Sequence, residues 1–288
     1  MPSRNAVVGP RPRNRRRPQP DRPGQAGSSL DAGPLSSPET PRTLPPTPSR
    51  RTVAPTVMIS DPEDGSPAAR LALGDWRRRT AELYADVRRL ATVDPEAAWE
   101  LWRSVREALY RAHPQSPVPP AQRAAFRAHV YPYDPSYRLT ATLEPATSEP
   151  LTVQPGLADA AAAGSVGPLP LPSSHGEPAR FIVLGQLRVP FPTGERRLTC
   201  YWLEGYAGGL FLPFGDATNG RTTYGAGRYL LDTAKGADLG ADPRTGALVL
   251  DFNFAYQPSC AFDPRWSCPL APPGNRLDIE VPVGERLV

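Results

Sequence analysis

The run from Asp251 to Arg276, Asp-Phe-Asn-Phe-Ala-Tyr-Gln-Pro-Ser-Cys-Ala-Phe-Asp-Pro-Arg-Trp-Ser-Cys-Pro-Leu-Ala-Pro-Pro-Gly-Asn-Arg, sets the main constraint on this chain. Proline removes backbone donors and fixes φ, so the run is neither a regular helix nor a long strand. Its aromatics, two cysteines and buried-type polar residues nonetheless belong to a packed interior. A loop of this kind folds only against a scaffold.

The scaffold begins after the turn-rich link Tyr131-Pro132-Tyr133-Asp134-Pro135. There Leu139, Ala141 and Leu143 alternate with Arg138, Thr140 and Thr142, the period of a half-buried strand. Residues 144–177 are rich in Ala, Gly, Pro and Ser and read as a long loop, with at most a short strand at Leu151 to Val153. Consecutive strands are then expected over Arg180 to Val189, Arg197 to Glu204 and Leu210 to Phe214. Asn219-Gly220 supplies positive φ for a turn. Short strands follow at Thr222 to Tyr224 and Arg228 to Leu231, then a most apolar strand at Ala247 to Phe252 and a closing one at Leu277 to Val281. Strand after strand without interposed long helices implies an antiparallel sheet, as a sandwich or a partly open barrel.

Ahead of this β-rich body, residues 131–288, the period is helical. Leu73, Trp76, Leu83, Val87 and Leu90 recur at steps of three, four and seven, giving one amphipathic helix over Ala68 to Ala91 with a break at Gly74. Asp94-Pro95-Glu96 is a helix start, with Asp94 as cap and Pro95 at the first helical position. Trp99, Trp102, Val105 and Leu109 share a face of that second helix, and a short third is expected over Ala121 to Ala128. The tryptophan stripe reads as packing against the sheet rather than as a recognition surface. Residues 67–130 are thus a helical lead, and the fold class is α+β.

Residues 1–66 have no hydrophobic period and read as a disordered Arg/Pro-rich tail. Its first 57 residues carry ten arginines against three acids, +7, so the whole-chain charge of +4 leaves −3 for the remainder. Arg11 to Arg17 could release counterions from phosphates, which makes the tail the one route to nucleic acid. The blander reading is preferred: Met58 opens an ordinary soluble start, and the segment before it is dispensable or an upstream-start artefact. No apolar run reaches the ~20 residues of a membrane span or the core of a signal peptide, so a cytoplasmic protein is expected.

Three cysteines, Cys200, Cys260 and Cys268, do not make a disulfide framework. Cys260 and Cys268 lack zinc-knuckle spacing, and Cys200 with His129 or His175 would have to complete a site from distant loops; packing thiols are the base case, a close Cys260–Cys268 pair or disulfide the alternative. A Cys260 nucleophile would need His113, His129 or His175, none of which lies in a motif. Gly225-Ala226-Gly227 is too short for a phosphate loop, so no metal or cofactor is expected.

Three ordered runs carry a resemblance: Asp216-Ala-Thr218-Asn219-Gly220 with Thr223-Tyr224-Gly225-Ala226-Gly227-Arg228-Tyr229; Asp251-Phe-Asn253-Phe-Ala-Tyr256-Gln257-Pro258-Ser-Cys260; and Cys268-Pro269 through Pro273-Gly274-Asn275-Arg276-Leu277 to Gly284-Glu285. With Asp75-Trp76-Arg77 and His113-Pro114-Gln115-Ser116-Pro117, the chain from Leu73 onward resembles the bacterial family called domain of unknown function 1684. The departure is Gln257, where the family has Asn. The resemblance implies a fold unit and no activity, cofactor or catalytic residue.

The candidate pocket residues are Tyr224, Arg228, Asp251, Asn253, Tyr256, Asn275 and Arg276, set between the Tyr224 to Tyr229 strand and the Asp251 to Arg276 loop. An Asp251–Arg228 pair there would orient a polar or anionic ligand. The competing reading is that these groups satisfy the backbone of their own proline-rich loop. The expected function is a small-molecule or partner-binding protein of undefined ligand. The alternative is a metal-independent hydrolase or isomerase with Asp251 as acid or base and Arg228 or Asn253 orienting. No oligomeric state follows from the sequence.

Overall fold

The computed structural model describes residues 65–146, 169–171, 173–174, 180–205 and 208–287. The tail up to residue 64, the strand expected at Leu151 to Val153 and His175 lie outside the described residues.

Helix α1 spans Pro67–Leu90 and α2 Pro95–Ala112. Each starts on a local signal. Ser66 Oγ accepts from Ala69 N at 3.1 Å and Asp94 Oδ1 from Ala97 N at 2.9 Å, each ahead of a proline that fits the first turn. The break expected at Gly74 does not occur. One glycine costs about 1 kcal/mol, which the surrounding Leu, Ala and Arg carry without interruption. The third helix shrinks to α3, Pro120–Arg123. Arg123 folds back onto the carbonyls of Val118, Pro114 and Ser116, and Phe126 leaves the helical path to pack on Tyr110 and Phe262.

The strands are β1 Arg138–Ala141, β2 Leu143–Pro145, β3 Leu169–Pro170, β4 Arg180–Phe191, β5 Gly194–Leu203, β6 Gly209–Phe214, β7 Arg228–Asp232 and β8 Leu248–Asp251. Every pairing is antiparallel: β2-β4-β5-β6-β7 in order, with β3 also on β4, and β1 on β8 as a separate two-stranded sheet. The single strand expected over Leu139 to Leu143 is divided at Thr142, where the chain leaves the partner of one sheet for that of the other.

Two expected strands are not strands. Around Thr222 to Tyr224, Thr223 N donates to Thr218 O and Gly220 N to Thr223 O, so these groups close a turn on which Gly220 has φ 75°. At Leu277 to Val281 only an isolated parallel bridge forms, with Leu277 N on Gly215 O and Ala217 N on Ile279 O. The later carbonyls of that segment turn inward to Arg228.

Helices and strands share one core. Leu83, Tyr84, Val87, Ala98 and Trp102 pack in the same cluster as Phe181, Leu198, Leu212, Phe252 and Phe254. The Trp102 indole donates to Tyr84 Oη at 3.2 Å and its ring meets Phe254 edge-on. Trp102 is packing, as its spacing implies.

Candidate functional site

The loop from Asp251 to Arg276 is extended backbone broken by 3-10 turns at Phe252–Phe254, Ser259–Ala261 and Pro273–Asn275. It continues the sheet: Tyr229 and Tyr256 exchange backbone hydrogen bonds at 2.9 and 3.0 Å. The seven candidate residues are distributed around this loop in separate networks.

Arg228 and Asp251 do not meet. Arg228 is fully buried at the start of β7 and pairs with the equally buried Asp216 at 2.8 Å. Its terminal nitrogens also donate to the carbonyls of Val281 (2.8 Å), Glu285 (3.2 Å) and Val283, while Nε is buried without a partner. Asp216 Oδ1 in turn accepts from Thr218 N at 2.8 Å and from Thr218 Oγ1, while Asn219 and Thr223 tie off the same turn. A guanidinium offers five donors and no acceptor, so it fits a place where a strandless segment turns several carbonyls inward.

Asp251, fully buried at the end of β8, stands directly opposite Arg138 in the β1–β8 register. It accepts from Arg138 Nη1 at 3.1 Å and from Asn253 Nδ2 at 2.8 Å. Burial pushes its carboxyl above the ordinary range, opposed by Asn253 and Arg138. Asn253 closes a two-way bond with the link segment, accepting from Asp134 N at 2.9 Å and donating to Asp134 O at 2.8 Å. Asn275 does the same across the sheet, accepting from Thr199 N and donating to Thr199 O and Pro213 O at 2.8, 2.9 and 2.7 Å.

The remaining three sit elsewhere. Tyr256 is a wall for Arg106, whose guanidinium lies between the rings of Tyr256 and Tyr110, 4.5 and 4.4 Å from their centroids, and binds Glu285 with both forks. Tyr224 Oη donates to Cys260 Sγ at 3.7 Å. Arg276 is exposed over Gly215. Gln257 uses its extra methylene to reach Arg286 O at 3.2 Å, and its own Oε1 is buried without a partner.

Open space lies next to this set. A cavity of about 330 Å³ is bounded by the last turns of α1, by β1 and β8, and by residues 239–243. Val87, Leu139, Leu239, Val249 and Phe254 make its apolar walls. Arg138 reaches it from the Asp251 side and Arg88 from α1, the latter held by Asp238 O at 2.6 Å. Sequence reasoning placed Arg138 as an outward polar residue of a strand. Its register opposite Asp251 is the signal that would have found it, and that register is not readable locally. Among the described residues no group of three or more His, Cys, Asp and Glu stands close enough to hold a metal ion, and no helix is long and apolar enough to cross a membrane.

No curated protein matches this chain. The solution NMR structure of an uncharacterized protein of Haloarcula marismortui is similar to it, at 28% identity over 68% of this chain and 96% of that one, with a TM-score of 0.46. A family model matches residues 125–286, from the end of the helical lead to the last described turn, and contains all three motif runs. By that match the chain belongs to the family described as protein of unknown function DUF1684.

Proposed function

We propose that this protein binds a small molecule with an apolar body and one acceptor-rich end, such as a carboxylate, in the cavity between α1 and the β1–β8 pair. The observation that carries the reading is Arg138. Two of its five N–H donors are engaged, by Asp251 Oδ2 and by Ala91 O at 3.4 Å, at a cavity with mainly apolar walls whose other charged lining residues are Arg88 and Asp242. About 330 Å³ is at the small end of ligand sites. Asp251 acts here as the group that fixes the Arg138 fork, because its oxygens are turned to Arg138 and Asn253.

A thermal-shift screen of small carboxylic acids tests this, with Thr140→Trp as control. Thr140 lines the cavity and is exposed, so the substitution fills the space without touching Arg138 or Asp251. The expected result is stabilisation of the wild type by acids with a compact apolar body and none of the variant. Equal stabilisation of both proteins, or no response to any acid, refutes the assignment.

A further inference from the structure

We propose that Cys260 and Cys268 form a redox-active thiol pair, with Cys260 attacking hydroperoxides and Cys268 closing a disulfide onto it. The pair is independent of the cavity. Both are free thiols, separated by seven residues in sequence and brought together by the turn at Ser259–Ala261 and the Trp266 N to Asp263 O bond. Cys260 N donates to Cys268 Sγ at 3.3 Å, and Tyr224 Oη points at Cys260 Sγ from the neighbouring turn. A third segment holds the other cysteine: Cys268 N donates to Ser174 Oγ at 3.1 Å and Ser174 N to Cys268 O at 3.0 Å.

The two sulfurs are not equivalent. Cys260 is 9% exposed and Cys268 4%, so the first is the more accessible. A hydrogen bond from the Cys268 thiol lowers the Cys260 thiol to about 6 against burial, with the hydroxyls of Tyr224 and Ser174 adding to the effect. The same bond, with burial, pushes Cys268 well up. Cys260, the more accessible sulfur and the one that accepts from Tyr224, is thus the attacking cysteine of the proposal, and Cys268 the resolving one. Cys200 is an internal control: it is fully buried in β5, and burial pushes its thiol to about 12.

The chemistry balances with a hydroperoxide as the named oxidant. The Cys260 thiolate attacks the terminal peroxide oxygen, the O–O bond breaks, and the alkoxide or hydroxide leaves with a proton from solvent. The sulfenic acid so formed is attacked by Cys268 sulfur: the S–S bond forms, the S–O bond breaks, and water leaves with the Cys268 proton. Two thiols and one hydroperoxide give one disulfide, one alcohol or water, and one water.

The test uses the full chain and hydrogen peroxide. Alkylation with mass analysis should show loss of two thiols and a Cys260–Cys268 link, with Cys200 labelled only after unfolding. In Cys268→Ser, dimedone should trap a sulfenic acid on Cys260. Because that variant alters a buried position, wild-type protein supplies a second readout. The pH profile of Cys260 alkylation by iodoacetamide should have its midpoint at least about one unit below the ordinary thiol value of about 8.5, and Tyr224→Phe should move it up. Retention of all three thiols under peroxide, a linkage involving Cys200, or an ordinary alkylation profile would overturn the proposal.

Discussion

Replacing Arg228 by Met removes a charge and the donors that hold the end of the chain, while leaving side-chain length nearly unchanged. Arg228 and Asp216 are both completely buried, 2.8 Å apart, and Arg228 also binds the carbonyls of Val281, Val283 and Glu285. Breaking a buried pair from one side costs about 3–5 kcal/mol, because the remaining charge has lost its partner in a low-dielectric site. At about 2–4 °C per kcal/mol for a unit of this size, the melting temperature should fall by about 6–20 °C. Asp216→Asn in the same chain removes the stranded charge, so the double variant should recover part of the loss, with a coupling of about 0.5–3 kcal/mol. Urea titration measures the energies. Hydrogen exchange at Val283 and Glu285, whose amides bond Val281 O and Ala255 O, reports whether the chain end is what loosens. A single-variant loss under about 1 kcal/mol, or full additivity of the two substitutions, would refute the view that Arg228 organises the C-terminal segment.

Three further outcomes are expected. His113 is neutral in the fold: Nδ1 accepts from Gln115 N at 3.0 Å while Nε2 faces Asp75 at 3.2 Å, and burial holds its pKa below the ordinary 6.5 although Asp75 opposes the shift. The unfolded chain therefore binds the proton more readily, so stability should decline as pH falls below about 6.5, and His113→Gln should flatten that decline in thermal melts across pH 5–8. Asn275→Ala strands Thr199 N, Thr199 O and Pro213 O, and at about 1–3 kcal/mol for each buried unpaired group the loss should exceed about 2 kcal/mol in urea titration. Gly284 has φ 77°, and a Cβ there would lie 2.5 Å from Ala255 O, so Gly284→Ala should lower the melting temperature more than any exposed Gly→Ala, such as at Gly74.

The start of α2 was legible because its cause is local: Asp94 and Pro95 lie within a turn of the groups they satisfy. The β4–β5–β6 meander was legible for a similar reason, since β-branched and aromatic runs are separated by short turns. The expected closing strand was misread because its polar groups are answered from afar. Val281 O and Val283 O belong to a stretch with strand-like alternation, yet their donor is a side chain on β7. Likewise Asp251 and Arg228 looked like partners because both sit in motif runs of opposite charge. Which cation meets which carboxylate is fixed by register, and Arg138 is placed opposite Asp251 by β1–β8 pairing across more than a hundred residues. The cavity was invisible for the same reason: its walls come from α1, β1, residues 239–243 and β8.

The motif polar residues divide by whether their hydrogen bonds return to the backbone. Asp216, Asn219, Arg228, Asn253 and Asn275 all do: their amides, carboxylate and guanidinium answer N–H and C=O groups in stretches that lack a ladder partner. A body built from short strands and a proline-rich loop leaves many such groups, and each must be paired when buried. These residue types are therefore required by the fold whatever the protein binds. Two groups fall outside that requirement. Arg138 has donors beyond those spent on Asp251 and Ala91 and stands at an apolar cavity, and Cys260 has a sulfur that accepts hydrogen bonds no packing role demands. A residue that does more than its own backbone needs is where ligand binding or chemistry is to be sought.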